Sequence, residues 1–467
     1  MFSTANHHCH HALWGFRRAS PSVAIVGFAA FAALVSLSLA SCGRGQEGIA
    51  VSREQLFTLS YGKGEDQVDL FQTEASQTPL KTRIAMREGI FYLANGNASK
   101  VVRLSSFGDV LSMIYNPERN PEPLLLKSTP GASPSSPAGA SPQVPGSASA
   151  SGSIGTGTPG ASGSVTGADA AYGRRAVAYP FRAVGEIAVD SRQTIYVEDR
   201  LPPERRVYDK DLDAVLDHVV LRFDKDGNSL DYLGQEGVGG TPFPFIQDVY
   251  TTNGDDCIVV SLTQSLWLVD WFDAKGFVKH SMKIKRDNLP QPQGEKSLIA
   301  SLDRIAPDSD GKSLVVKIDY YRNSVDPNNK SDSTVEFASS WAYRMDPSTG
   351  SISDRWQIPA IESTVKGGSD NGDQHIVRIP ELIGMADRRL FFLTADDQDR
   401  SQVSVYDTTL RSTSRYNLDI APDELYYSAM YLSPDGILCA LLGTKYEARV
   451  VWWRFDKLLG GAKGSAK

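Results

Sequence analysis

Ile187-Ala188-Val189-Asp190, Thr194-Ile195-Tyr196-Val197 and Val219-Val220-Leu221-Arg222-Phe223-Asp224 follow one another, with a turn at Lys225-Asp226-Gly227 before Leu230 to Leu233. These are four short β-branched and aromatic runs divided by Asp and Gly. Such a pattern predicts four antiparallel strands with tight turns. The same order stands upstream. Ile84-Ala85-Met86, Ile90 to Leu93, Lys100 to Leu104 and Val110-Leu111 are separated by turns at Arg87-Glu88-Gly89 and Ser106-Phe107-Gly108.

Weaker copies continue downstream. The third holds Asp248-Val249-Tyr250, Cys257 to Val260, Leu266 to Phe272 and a turn at Lys275-Gly276. The fourth holds Asp303 to Ala306, Leu314 to Ile318, Trp341 to Met345 and a turn over Asp346 to Gly350. The fifth holds Leu382 to Met385, Leu390 to Leu393 and Val403 to Tyr406. The sixth holds Met430 to Leu432, a turn at Ser433-Pro434-Asp435-Gly436, Ile437 to Leu442 and Val450 to Phe455. A four-stranded unit repeated in this way predicts an all-β β-propeller of six four-stranded blades, with seven as the alternative count. A two-sheet sandwich or two β domains is the competing architecture. The Ile-Ala-Val-Asp, Ile-Tyr-Val and Arg-Phe-Asp-x-x-Gly landmarks of the second copy resemble an NHL-type repeat. That resemblance implies a propeller over residues 52–456.

Closure is legible as well. The sixth copy lacks a fourth strand, and Gln55-Leu56-Phe57-Thr58-Leu59-Ser60-Tyr61 near the other terminus is a strand without a hairpin partner. The expectation is that it closes the last blade and hides two sheet edges. Residues 457–467 read as a flexible tail.

The first 41 residues have the parts of a secretory signal: Arg17 and Arg18, an apolar run from Val23 to Ala40, and small residues at its end. Leu39-Ala40-Ser41-Cys42 resembles a bacterial lipobox. The resemblance implies a lipoprotein cleaved before Cys42 and acylated there by fatty acids such as palmitate, with residues 42–51 as a lipidated tether. The remainder has no comparably long apolar run. The expected location is the cell envelope, outside the cytoplasm. The outer membrane is favoured over the inner, since Gly43 is not an inner-membrane retention Asp. The tether is expected to leave the propeller on the face of the tight turns.

Ser128 to Ala168 holds no charged or aromatic residue and is mostly Ser, Gly, Ala and Pro. Such a segment cannot bury enough apolar surface to offset its ordering entropy, so it reads as a disordered insert. Gly155-Thr156-Gly157-Thr158-Pro159-Gly160 lies inside it, without the strand and helix that a dinucleotide site needs. The other long links, Leu201 to Asp217, Lys285 to Ala300, Tyr321 to Ser340 and Pro359 to Pro380, all fall on one predicted face.

A net charge of −7 and the lack of a basic stripe argue against nucleic acid. Past the signal, only His218, His280 and His375 and the thiols Cys257 and Cys439 remain besides Cys42. Those two thiols sit in apolar runs and read as buried and free, with a disulfide in an oxidising compartment as the alternative. This inventory nominates no catalytic residue and no metal site. Trp267, Trp271, Trp452 and Trp453 read as packing between blades, and Asp224 to Asn228 as a hairpin turn.

Two functions are consistent with these features. One is a non-catalytic binding platform, held at the membrane by its lipid, that carries an envelope protein or a surface ligand and needs no cofactor. The other is a calcium-dependent propeller hydrolase or lactonase, whose ligands would be channel carboxylates on innermost strands: Asp190, Asp248 and Asp303. The platform is the favoured reading, and a non-enzymatic role the expectation.

Overall fold

The computed structural model describes residues 48–71, 80–124, 127–129, 175–234, 241–295, 297–325, 333–365, 374–396 and 398–460. Cys42, the lipobox and most of the Ser128–Ala168 insert lie outside them.

The chain enters through β1 (Ile49–Val51), β2 (Glu54–Tyr61) and the short β3 (Gln67–Val68). Blade 1 is β4 (Thr82–Arg87), β5 (Ile90–Asn95), β6 (Lys100–Leu104) and β7 (Val110–Tyr115). The strands β8 (Lys127–Thr129) and β9 (Arg175–Ala178) extend its outer edge in parallel. Blade 2 is β10 (Ile187–Val189) and β11 (Ile195–Arg200), then a side hairpin of β12 (Val207–Asp209) and β13 (Ala214–Leu216), then β14 (His218–Phe223) and β15 (Ser229–Tyr232). Blade 3 is β16 (Phe245–Thr251), β17 (Cys257–Leu262), β18 (Leu266–Phe272) and β19 (Val278–Lys285). Blade 4 is β20 (Ile299–Pro307), β21 (Leu314–Val325), β22 (Ser333–Met345) and β23 (Ile352–Ile358). A hairpin of β24 (Ile361–Val365) and β25 (Gln374–Arg378) leads to blade 5, which is β26 (Glu381–Ala386), β27 (Arg389–Ala395), β28 (Ser401–Asp407) and β29 (Ser412–Leu418). Blade 6 is β30 (Tyr427–Leu432), β31 (Leu438–Gly443) and β32 (Glu447–Trp453), completed by β2. A short α1 (Phe455–Gly460) follows, so the last strand stops at Trp453 and residues 457–460 are helical rather than a loose tail.

Each blade is antiparallel and its strand order is sequential except in blade 6, whose outer strand is β2, and six such sheets make the ring. Six apolar clusters hold it together, one between each pair of neighbouring blades. The clusters explain why the middle strands read as unbroken apolar runs. Side chains alternate across a strand, and in a blade both faces are covered. In β17, Cys257 and Val259 pack toward blade 2 while Ile258 and Val260 pack toward blade 4. In β31, Cys439 and Leu441 face blade 1, whereas Leu438 and Ala440 face blade 5. Both cysteines are buried and free, and burial pushes their thiols up. Trp267, Trp271 and Trp453 are buried. The half-buried Trp452 lies 6.2 Å from Phe91 of blade 1.

One turn chemistry recurs on the tight-turn face. A side-chain oxygen at the first residue accepts the amides two and four residues on, and the fourth residue takes a positive φ. Ser105, Asp190, Asp224, Thr252 and Asp273 all do this. The fourth residues are Gly108, Gln193, Gly227, Asp255 and Gly276. Short polar side chains satisfy turn amides that the ladder leaves open.

The long links do lie together on the opposite face, with two changes from expectation. Tyr321 to Ser340 is not a loop. β21 and β22 run on as a two-stranded arm, paired out to Val325 and Ser333. The tether also shortens, because Ile49–Val51 forms β1 against the outer edge of blade 5, with Ile49 beside Tyr416 and Val51 beside Leu418. β1 runs parallel to β29, from the side of its tight turn toward its loop end, so the chain enters the ring along the flank of blade 5.

Candidate functional site

The three nominated carboxylates separate. Asp190 is a turn residue at the far end of β10, where it accepts the amides of Arg192 and Thr194 (2.9 and 2.8 Å) and pairs with Arg192 at 3.1 Å. It does not enter the channel. Asp248 and Asp303 do lie on innermost strands, each next to a bulge. A bulge frees one residue from the ladder and re-aims its side chain. Asp303 is such a residue. It accepts the amide of Leu382 in blade 5 at 3.0 Å and meets Lys317 at 3.1 Å. Lys317 is fully buried and also holds both oxygens of Asp319, at 2.8 and 2.9 Å.

A second network closes the loop-side mouth of the channel. Arg83 of blade 1 donates through Nε to both oxygens of Glu186 in blade 2, at 3.0 and 2.9 Å. Lys81 reaches Glu186 (3.2 Å), Glu198 (3.0 Å) and the carbonyl of Ile246 in blade 3 (2.7 Å). Its ammonium has three protons and three acceptors. Glu198 also accepts from His218 Nδ1 at 2.7 Å. Burial opposes the Glu198 charge, yet Lys81 and His218 hold its carboxyl down to about 2. Asp248 is less well served. Arg304 stands 3.8 Å away, and burial raises its carboxyl despite that cation.

These contacts decide the metal question. A calcium site gathers several oxygen donors with spare lone pairs. Here Asp303 and Glu186 are already met by Lys317, Lys81 and Arg83. Asp248 stands near Arg304, Lys81 and Arg83 with one buried oxygen lacking a hydrogen bond, and Asp190 lies at the other end of its strand. Among the described residues no group of three or more His, Cys, Asp and Glu side chains could hold a metal ion. The residues do not fit calcium. None of the cations that neutralise the channel is singled out by the sequence pattern, although Arg304 directly follows Asp303.

The histidines stay apart. His218 is buried between Glu198 and Asp217, and His280 sits edge-on to Trp271 with centroids 6.2 Å apart. The side chain of His375 lies outside those described.

A cleft on the loop-bearing face lies between blades 1 and 2 and has a volume of about 620 Å³. Its walls come from Leu80, Asn116, Glu118 and Arg119, Pro180 to Ala183, and Arg200 and Arg206. Beneath it, the carboxylate of Asp199 accepts the amides of Arg182 (2.9 Å) and Ala183 (2.7 Å). Burial nonetheless pushes Asp199 up to about 6. Its folded pKa thus exceeds the unfolded value of about 4, and the native state holds this proton to higher pH. The contribution of Asp199 to stability is greatest below pH 4 and is lost as pH rises through about 6. Wild type should therefore lose about 1.4 kcal/mol relative to Asp199→Asn between about pH 5 and 7.5. Urea unfolding at the two pH values measures this. A constant difference between the proteins would refute the assignment.

No family model and no curated protein matches the chain. Solved structures with some likeness share very little sequence. The Dos1 propeller is 8% identical, with a TM-score of 0.33, over 80% of this chain and 81% of that one. A gluconolactonase from Xanthomonas campestris is 11% identical, with a TM-score of 0.34, over 80% and 87%. An exported protein from Bacteroides fragilis is 10% identical, with a TM-score of 0.33, over 87% and 99%. The ring of six sheets itself establishes the propeller.

Proposed function

We propose that this chain is a lipid-anchored, extracytoplasmic propeller. It holds an envelope protein on its loop-bearing face and carries out no chemistry of its own. The observation that carries the reading is the contrast between the channel and that face. The channel carboxylates of blades 2 and 4 are neutralised by Lys81, Arg83 and the buried Lys317, which tie blades together, so they brace the ring instead of offering ligands. The loop-bearing face presents exposed aromatic side chains, Tyr208, Phe245, Tyr426 and Tyr446. Aromatic residues are enriched in protein interfaces, and loops on a rigid scaffold are where binding surfaces concentrate. A photo-crosslinker at Tyr208 or Tyr446 in cells should give one discrete adduct, and one at Phe277 or Leu410 on the other face none. Equal adducts from both faces would reject the docking face. Calcium-stimulated turnover of esters or lactones that is lost in Asp248→Asn would favour the hydrolase.

The anchor is tested separately. Cys42→Ala should abolish incorporation of radiolabelled fatty acid and release the protein from the detergent phase, since several acyl chains together anchor firmly. Label entering Cys42→Ala as well as wild type would end the lipoprotein reading.

A further inference from the structure

The cleft between blades 1 and 2 is rich in cationic side chains. Four of its lining residues are arginines: Arg119, Arg182, Arg200 and Arg206. One carboxylate, Glu118, lines it with them. The whole chain carries a net charge of −7, so this cationic pocket runs against the background. None of the four arginines stands within ion-pair distance of a described carboxylate. Their known hydrogen bonds position them without neutralising them. Arg119 Nη1 donates to Ser99 Oγ at 3.1 Å, and Arg206 Nε to the carbonyl of Leu201 at 3.4 Å.

The walls are held from both sides by buried polar groups. Asn116 Nδ2 donates to the carbonyl of Phe181 at 2.8 Å, while its Oδ1 accepts the amide of Glu118 at 2.8 Å. Asn120 Nδ2 donates to the carbonyl of Ala98 at 2.6 Å and fixes the end of the same turn. From the other side Asp199 holds the amides of Arg182 and Ala183. The segment that carries Arg182 is therefore set in place before any ligand arrives. Such preorganisation lowers the cost of binding.

From this arrangement we infer that the cleft binds a ligand bearing a phosphate group, gripped by the guanidinium forks of Arg182, Arg200 and Arg206. Guanidinium pairs bidentately with phosphate oxygens, and several forks around one site suit a multiply charged group better than a single carboxylate. The volume is that of a small-molecule site. It exceeds what inorganic phosphate needs, so the ligand carries more than its phosphate. Leu80, Pro180 and Ala183 offer that remainder an apolar wall. This names a ligand for the loop-bearing face and in that respect rests on the binding-platform reading. It does not require a protein partner there.

Titration calorimetry on the full chain in neutral detergent tests the inference at low salt. One arm adds inorganic pyrophosphate or glycerol 3-phosphate. The other compares mixed micelles containing phosphatidic acid with micelles of phosphatidylcholine. Saturable binding in the first arm identifies a soluble ligand, and a preference for phosphatidic acid alone identifies a lipid head group. In either case Arg182→Gln combined with Arg206→Gln should weaken binding about tenfold or more. Arg322→Gln, on the arm of blade 4, should leave it unchanged. Binding in neither arm up to about 10 mM, or binding that the paired variant does not weaken, would overturn the inference. The crosslinking outcome at Tyr208 and Tyr446 is independent of this result, so either reading can fail alone.

Discussion

Removal of residues 48–61 should leave a chain that no longer closes and that associates through its open edges. β2 is the fourth strand of blade 6, paired antiparallel with β32 from Glu54 opposite Trp452 to Ser60 opposite Glu447. Its inward side chains belong to the core between blades 6 and 1. Phe57 and Leu59 are buried there, and the Phe57 ring stands edge-on to Phe91 with centroids 5.8 Å apart. Val51 of β1 adds to the core between blades 5 and 6. The segment just after β2 is pinned as well, since the buried Lys100 of blade 1 donates to the carbonyls of Lys63, Gly64 and Gln67. Burying each of these apolar side chains is worth about 1.5–3 kcal/mol, and a whole domain has a net stability of only about 5–15 kcal/mol. Loss of the segment also exposes the ladder groups of β32 and β29, which templates pairing between molecules. The deletion should elute as oligomers on size exclusion. Phe57→Ala should stay monomeric and lose about 3–5 kcal/mol in urea unfolding. A monomeric, fully stable deletion would show that the ring does not depend on this latch. Gly108 bears on the same contact. It has φ of +86°, and a Cβ there would stand 2.9 Å from Phe57 Cβ, so the turn of blade 1 needs glycine to lie against the latch.

The latch was legible in the sequence for a physical reason, while its neighbour β1 was not. Gln55 to Tyr61 alternates and is long enough to stand out, and the sixth copy visibly lacked a strand. Ile49-Ala50-Val51 is three residues joined in parallel to an edge, with no turn or periodicity to announce it. The middle strands were legible because burial on both faces makes them continuous apolar runs. Outer strands of the third to fifth blades were missed because one face meets solvent. Val278–Lys285 and Ser412–Leu418 are mostly exposed or half-buried along their length, so their composition is that of loops. The channel was half legible. Asp248 and Asp303 were found as innermost carboxylates, but nothing local reveals which cation faces them across a blade. Asp190 misled because its place in the repeat is that of a strand end, and its chemistry is that of a turn cap. The arginine cleft left no local signature. It is assembled from three links that meet only when blades 1 and 2 stand side by side.

Lys317→Met should be among the most damaging single substitutions in the ring. Lys317 has no exposed side-chain surface and stands between Asp303 at 3.1 Å and Asp319 at 2.8 Å. The Ser340 hydroxyl donates to the same Asp319. Asp303 in turn accepts the Leu382 amide, so one ammonium neutralises a cluster that reaches from β20 and β21 of blade 4 into blade 5. Methionine fills similar volume, and so the loss is one of charge. Two carboxylates would be left close together and without a cation, and breaking a buried pair in this way costs about 3–5 kcal/mol. Burial already raises the Asp319 carboxyl even with Lys317 present. Without the lysine, the Asp319 carboxyl should rise further above its unfolded value. The variant then holds that proton in the native state to higher pH, so its deficit should be largest near neutrality and shrink as pH falls and the carboxyl protonates. Urea unfolding of wild type and Lys317→Met at about pH 7.5 and pH 5 gives the two deficits to compare. Adding Asp303→Asn to the variant should recover part of the loss, because asparagine can still accept the Leu382 amide without a charge. A deficit that is the same at both pH values and untouched by Asp303→Asn would mean that Lys317 acts through packing alone. The channel carboxylates of blade 4 would then be free to serve a ligand after all.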